Sequence, residues 1–255
     1  MDLQLSDKRA VVTGASRGIG LAAARALAAE GAHVALVARD EAALRRAAAQ
    51  LGPAAVVEVC DTGSDAAVAA MAAEASAALG GVDILVNSAA PANTGPMADD
   101  ELDYQINVKV KGYLRCARAF APQMRERGWG RIVNVSGLAA RSTGSVVGSV
   151  RNVAVAAMAK NLADEYGRDG VNVTVVHPGM TVTEHFEDTV GRMARARSTT
   201  PEAVRDALAA ATSIGRVVTA EEVADVITFL SSPRSVAITG DAIVAGGGAR
   251  GAIHY

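Results

Sequence analysis

The residues with the clearest chemical meaning in this 255-residue chain are Thr13-Gly14-Ala15-Ser16-Arg17-Gly18-Ile19-Gly20. They lie between an apolar run ending at Thr13 and an amphipathic stretch that continues from Leu21 to Glu30. Where a strand turns into a helix, free backbone N–H groups and the positive end of the helix dipole converge, which suits a pyrophosphate. Glycine is needed wherever a Cβ would block the ligand or force a strained φ. With a strand before and a helix after, the spacing points to a dinucleotide, with Gly14, Ser16, Arg17, Gly18, Ile19 and Gly20 as its expected contacts. The plainer reading, a tight turn that only packs a helix on a strand, is the lesser one in that context.

A second chemical signal stands at the end of the next strand. A site selective for NAD(H) places a carboxylate there for the ribose 2′-hydroxyl, whereas this chain reads Val37-Ala38-Arg39. Arg39 and Arg17 offer guanidinium forks suited to a 2′-phosphate, so NADP(H) is expected over NAD(H). Asp40 is adjacent and would temper that preference, and two arginines on solvated turns are the commonplace alternative.

These residues must be positioned by a repeating frame. Short Val/Ile/Leu-rich runs at 10–13, 33–38, 55–59, 84–87, 131–136, 172–177 and 241–245 predict seven buried parallel strands. Helical stretches separate them, at 20–30, 41–51, 65–79, 102–127, 148–169 and 221–231. Right-handed crossovers then give an α/β fold, a doubly wound seven-stranded sheet with helices on both faces, in one domain spanning 1–255. Ligands of such a sheet bind beyond the carboxyl ends of the strands, and each motif named here follows one. A formal charge of −2 implies neither a nucleic acid nor a membrane surface as partner. No apolar run approaches the ~20 residues of a membrane span, and Met1-Asp2-Leu3 does not open a signal peptide, so a cytoplasmic location is expected. Cys60 and Cys116 lack metal-ligand spacing and read as buried reduced thiols; no metal site is expected.

Together the motifs resemble the short-chain dehydrogenases/reductases over essentially the full length. The first turn matches that family's cofactor motif. Asp61, with Thr62, resembles its adenine-contacting acid, and Asn87-Ser88-Ala89-Ala90 its N-x-A-G segment with the glycine changed. Gly130-Arg131-Ile132-Val133-Asn134-Val135-Ser136 is similar to its strand into the active site. Pro178-Gly179-Met180-Thr181-Val182-Thr183 matches P-G-x-x-x-T, which implies that Thr183 holds the nicotinamide carboxamide, with Pro178, Gly179 and Thr181 beside it. Residues 184–212 correspond to a helical substrate lid, whose Arg192, Arg195, Arg197 and Arg205 form either a solvated basic surface or a dock for a coenzyme A or carrier-protein arm.

The catalytic half departs from that family. The resemblance implies an Asn, a Ser and a Tyr-x-x-x-Lys; here the Asn position falls on Lys109, the Ser on Gly137 with Ser136 before it, the Tyr on Gly148 and the Lys on Asn152. Carbonyl reduction needs a proton for the developing oxyanion, and Gly148 has none to give. The exchange of Asn and Lys between two helices instead suggests an ammonium supplied from the opposite wall. Lys109, Ser136 and Asn152 are therefore the candidate catalytic residues, with Asn152 also a ribose contact. Arg151 is expected to project away, His177 to be structural, and His185, His254 and Tyr255 are unranked. The expected function is an NADP(H)-dependent reductase with an unusual acid, acting on a small-molecule carbonyl or enoyl substrate, as an acyl-CoA or carrier thioester. A cofactor-binding inactive subunit supporting a homologous partner is the second reading, and a lyase or isomerase the third. A homo-oligomer, dimer or tetramer, is expected in the first case and a hetero-oligomer in the second.

Overall fold

The computed structural model describes residues 1–53, 55–91 and 99–251; His254 and Tyr255 lie outside them. The chain runs β1 (Arg9–Thr13), α1 (Gly18–Ala29), β2 (His33–Ala38), α2 (Glu41–Leu51), β3 (Ala55–Val59), α3 (Asp65–Leu79) and β4 (Ile84–Asn87). It continues with α4 (Asp99–Gln105), a π-helical segment (Ile106–Lys111), α5 (Gly112–Glu126), β5 (Gly130–Val135), α6 (Val146–Tyr166) and β6 (Val171–Pro178). The last third holds β7 (Thr181–Val182), α7 (Phe186–Ala196), α8 (Pro201–Ala210), β8 (Val218–Thr219), α9 (Ala220–Leu230) and β9 (Ala242–Ala245).

All seven main strands are parallel, in the order β3-β2-β1-β4-β5-β6-β9. The expected doubly wound sheet is thus present, and the order reverses between β1 and β4. Alternation along β1 divides the interior into two layers: Ala10 and Val12 pack with Leu27, Leu44 and Ile227, while Val11 packs with Met71, Phe120 and Leu162. A third, small cluster of Phe186, Val190, Ala194 and Val204 joins α7 to α8 over the lid region. Among the described residues no helix is long and apolar enough to cross a membrane.

Two expectations need correction. The stretch 102–127 is not one regular α-helix, because its hydrogen bonding widens to the π pattern over Ile106–Lys111 before α5 resumes. Gly112 follows that segment, and a Cβ there would lie 3.0 Å from the Thr62 carbonyl oxygen, so glycine lets the helix approach the loop after β3. β7 and β8 form a separate two-stranded sheet that no run of apolar residues announced.

Candidate cofactor cleft and active site

Beyond the carboxyl ends of β1 and β4 lies a cleft of about 540 Å³. Its near wall is the first turn: Gly14, Ser16, Arg17, Ile19 and Gly20 all line it. Gly14 has φ +70°, and a Cβ there would meet the Ser88 carbonyl oxygen at 2.8 Å. A Cβ on Gly20 would overlap the Gly14 carbonyl, so helix and strand meet at this closeness only through glycine. Thr13 Oγ1 accepts hydrogen bonds from the N–H groups of Ser88 and Ala89 at 3.1 and 3.2 Å, tying the ends of β1 and β4 together.

The N-terminus of α1 already holds an anion. Its first turn has no acidic residue and Arg17 provides no side-chain cap, and the Gly18 N–H donates to both carboxylate oxygens of Glu184, at 3.0 and 3.2 Å. A carboxylate from a distant loop thus stands in for the negative group this turn is built to receive. Gly18 lies in an adjoining depression with Glu184 and Thr183, and Thr183 and Pro178 extend the main cleft.

At the far end Arg39, Asp61 and Thr62 line the cleft. Asp61 Oδ1 accepts from the Gly63 N–H at 2.9 Å, and Thr62 Oγ1 donates to the Val108 carbonyl at 3.4 Å. Asp40 accepts from the Ala43 N–H at 2.9 Å as the N-cap of α2, and its carboxylate also lines the cleft beside Arg39. Arg39 Nη1 donates to the Tyr104 hydroxyl at 3.0 Å, a contact the sequence did not signal.

Several expected cofactor contacts sit elsewhere. Asn87 is fully buried, and its amide donates to Asn134 Oδ1 at 3.0 Å, bracing β4 against β5 while the backbone after it faces the cleft. Thr181 donates to the Gly179 carbonyl at 3.0 Å within its own turn, and neither residue lines the cleft. Asn152 is buried with its amide directed at Gly137: a Cβ on Gly137 would lie 2.8 Å from Asn152 Nδ2. Among the described residues its Oδ1 has no partner, and it too is absent from the lining.

Lys109 and Ser136 do line the cleft. The π segment turns Lys109 inward, only 3 % exposed, and its Nζ donates to the Ser136 carbonyl at 2.9 Å. Burial, and secondarily the Arg151 guanidinium, bring this ammonium down from 10.5 to about 7. Ser136 Oγ donates to the Asn152 carbonyl at 3.1 Å, so that hydroxyl serves α6 rather than a reacting group. Gly148 occupies the first turn of α6, under its N-cap, and accordingly donates its N–H to Ser145 Oγ at 3.0 Å.

Arg151 faces inward, against expectation. Its Nη1 donates to the Pro91 carbonyl at 3.3 Å and to Gln105 Oε1. His177 is buried and its Nδ1 accepts from the Gly137 N–H at 3.4 Å, consistent with a structural part. Tyr104, Tyr113 and Tyr166 all stand outside the lining; Tyr113 donates its hydroxyl to the Val135 carbonyl at 3.0 Å, and burial raises its pKa far above the ordinary phenol value. Cys60 and Cys116 are free and buried, and burial pushes their thiols up to about 11 and about 12. In the lid, Arg205 pairs with Glu187 and Glu202 and Arg192 donates to Thr189, so the four arginines do not form one unopposed cationic surface.

Comparison with known proteins agrees with this geometry. A family model described as enoyl-(acyl carrier protein) reductase matches residues 14–250. The short-chain reductase protein NovJ of Streptomyces niveus is 35% identical over 246 residues, 94% of this chain and 92% of that protein. L-Sorbose reductase from Gluconobacter frateurii, solved with NADPH and L-sorbose, superposes with a TM-score of 0.92 at 30% identity, covering 99% of this chain and 100% of that one. A variant actinorhodin polyketide ketoreductase solved with NADPH gives a TM-score of 0.88 at 31% identity, over 94% and 96% of the two chains. On the matching family model, these relatives and the glycine turn at the switch point of the sheet, the chain belongs to the short-chain dehydrogenase/reductase family of oxidoreductases.

Proposed function

We propose that the chain is an NADP(H)-dependent carbonyl reductase in which Lys109 replaces the usual phenol as proton donor. The observation that carries this reading is the buried Lys109 ammonium, which lines the cofactor cleft beside Ser136 and has a pKa of about 7. Gly14, Ser16, Arg17, Ile19 and Gly20 would hold the diphosphate, Thr183 and Pro178 the nicotinamide end, and Arg39 with Arg17 the 2′-phosphate. The glycine geometry and the anion already seated on Gly18 support that fit. The likeness to structures solved with NADPH supports the choice of cofactor, and the likeness to a sorbose reductase and a ketoreductase supports a carbonyl over an enoyl substrate.

When bound, the reduced cofactor supplies hydride to the carbonyl carbon. The chain's task is the oxygen. Negative charge building there is met by the Lys109 ammonium, held in place by the Ser136 carbonyl, and an Nζ proton passes to the oxygen to complete the alcohol. The neutral amine then recovers a proton from solvent. An acid with a pKa near the working pH is the efficient choice for this transfer. Arg205, paired with Glu187 and Glu202, offers a coenzyme A or carrier arm no unopposed charge.

The second reading, a cofactor-loaded subunit that supports an active homologue, draws on Gly148 and on the outward Val146, Val150 and Val153 of α6, which are 58%, 45% and 51% exposed. One experiment separates the two. Reduction of methyl acetoacetate by NADPH is followed by absorbance for the wild type and Lys109→Met, with NADPH binding measured by fluorescence. The reductase reading expects intact binding and a loss of about 10²–10⁴ in rate on general-acid removal. An unchanged rate in Lys109→Met overturns it, as does an inert wild type that isolates from its host with a second homologous chain.

A further inference from the structure

Arg39 is the guanidinium at the far end of the cleft, and a neutral group holds it. The residue follows β2, is exposed, and lines the cleft with Asp40, Asp61 and Thr62. Its Nη1 donates to the Tyr104 hydroxyl at 3.0 Å, which joins the end of β2 to an element 65 residues further along the chain. That element, α4, is rich in carboxylates and reads Asp99-Asp100-Glu101-Leu102-Asp103-Tyr104-Gln105. It nevertheless meets Arg39 through its phenol, and Arg39 forms no ion pair among the described residues. Asp100 accepts from the Glu101 N–H at 3.0 Å, and Glu101 from the Gln105 amide at 2.6 Å.

The identity of that partner matters for charge and for entropy. An arginine side chain samples many rotamers, and an anion that captures it must freeze them unless the protein already has. A carboxylate would freeze Arg39 too, but would also neutralise it and compete with a phosphate. One stands ready, because Asp40 is the next residue and lines the same cleft. A phenol oxygen accepts one N–H and leaves the positive charge in place. It also leaves the Nε–Nη2 edge, which makes no hydrogen bond among the described residues and suits two oxygens of a phosphate.

We infer that Tyr104 is a positioning residue for cofactor selectivity: its hydroxyl anchors Arg39 toward the cleft and away from Asp40, so that the guanidinium meets the 2′-phosphate of NADP(H) already aimed. This rests on the reading of Arg39 as the 2′-phosphate contact and is independent of Lys109 and of the reaction. Tyr104 itself stands outside the lining and acts through Arg39.

Fluorescence titrations with NADPH and with NADH test this without turnover. Tyr104 is 41% exposed, and Tyr104→Phe keeps its ring while removing the hydroxyl. The variant should bind NADPH about two- to tenfold more weakly, the worth of one hydrogen bond, and NADH as the wild type does. The effect should vanish where Arg39 is missing: in an Arg39→Ala background, Tyr104→Phe should change the affinity for neither nucleotide. Equal weakening of both nucleotides would mean that the phenol only supports α4, and overturns the inference. An unchanged NADPH affinity in Tyr104→Phe does the same, as do additive losses in the double variant. Arg39→Ala alone separates the two possible failures. If it weakens NADPH selectively while Tyr104→Phe does not, the 2′-phosphate contact stands and the anchor falls; if it shows no selectivity for NADPH, both fall.

Discussion

Replacing Lys109 by Met should change stability with opposite signs at low and high pH. In the folded chain burial, with Arg151 second, brings the lysine from 10.5 down to about 7. Between those values the unfolded chain binds the extra proton, so folding stability rises with pH through this window. Below pH 7 both states are charged and the full burial cost is felt, about 5 kcal/mol at ~1.4 kcal/mol per pH unit. Lys109→Met removes that cost but leaves the Ser136 carbonyl without its donor, which takes back about 1–3 kcal/mol. The variant should therefore be about 2–4 kcal/mol more stable than the wild type at pH 6. As pH rises the advantage shrinks, by about 3 kcal/mol between pH 6 and 9.5, and it reverses where the lysine is neutral in both states. Urea denaturation of both proteins across that range measures the difference directly, and shared titrations of other groups cancel in it. A wild-type to variant difference that stays constant with pH would refute the buried-ammonium picture, and the proton donor with it.

Three further outcomes follow from single contacts. Glu184→Gln removes the carboxylate seated on the Gly18 N–H, and should tighten NADPH binding by about two- to fivefold, the worth of one exposed charge at a helix end. Arg39→Ala should weaken NADPH by about ten- to a hundredfold and leave NADH nearly unchanged, which paired fluorescence titrations will show. Gly137→Ser drives a Cβ to within 2.8 Å of Asn152 Nδ2 and should cost about 1–3 kcal/mol by thermal denaturation. Adding Asn152→Ala should return most of that loss, and strict additivity of the two changes would show that they do not touch.

The fold was legible because its inner strands, such as β1 and β4, are buried on both faces and read as apolar runs. β1, β2, β3 and β4 fall where those runs fall, and the glycines at 14, 18 and 20 mark the turn through requirements on backbone space alone. What escaped has a different physical origin. A π segment shifts register by its hydrogen bonding, and Ile106-Asn107-Val108-Lys109-Val110-Lys111 carries no composition that separates it from an α-helix. Two-residue strands such as β7 are too short for any period. Asn87, expected at the cofactor by motif, is buried in the sheet, where its Nδ2 donates to Asn134 while its Oδ1 has no partner among the described residues, a packing that no motif signals.

Arg151 shows how a correct angle can still mislead. It stands about 100° from Asn152 around α6, but only about 60° from Gly148 three residues earlier. Residues three apart are neighbours on a helix, and Gly148 has no side chain to hold that face. The same fit recurs around the site. Gly137 leaves the volume that the Asn152 amide fills, and the Ser136 carbonyl accepts the ammonium that Lys109 brings from the opposite wall. Loss of function alone would relax such positions independently, toward apolar bulk that costs nothing to bury. Here the Lys109 ammonium reaches the Ser136 carbonyl and the Asn152 amide fills the space at Gly137, although among the described residues Asn152 Oδ1 has no hydrogen-bond partner. On the proposed reading the cation reaches the cleft from the opposite wall, and Lys109 is the residue whose replacement tests it.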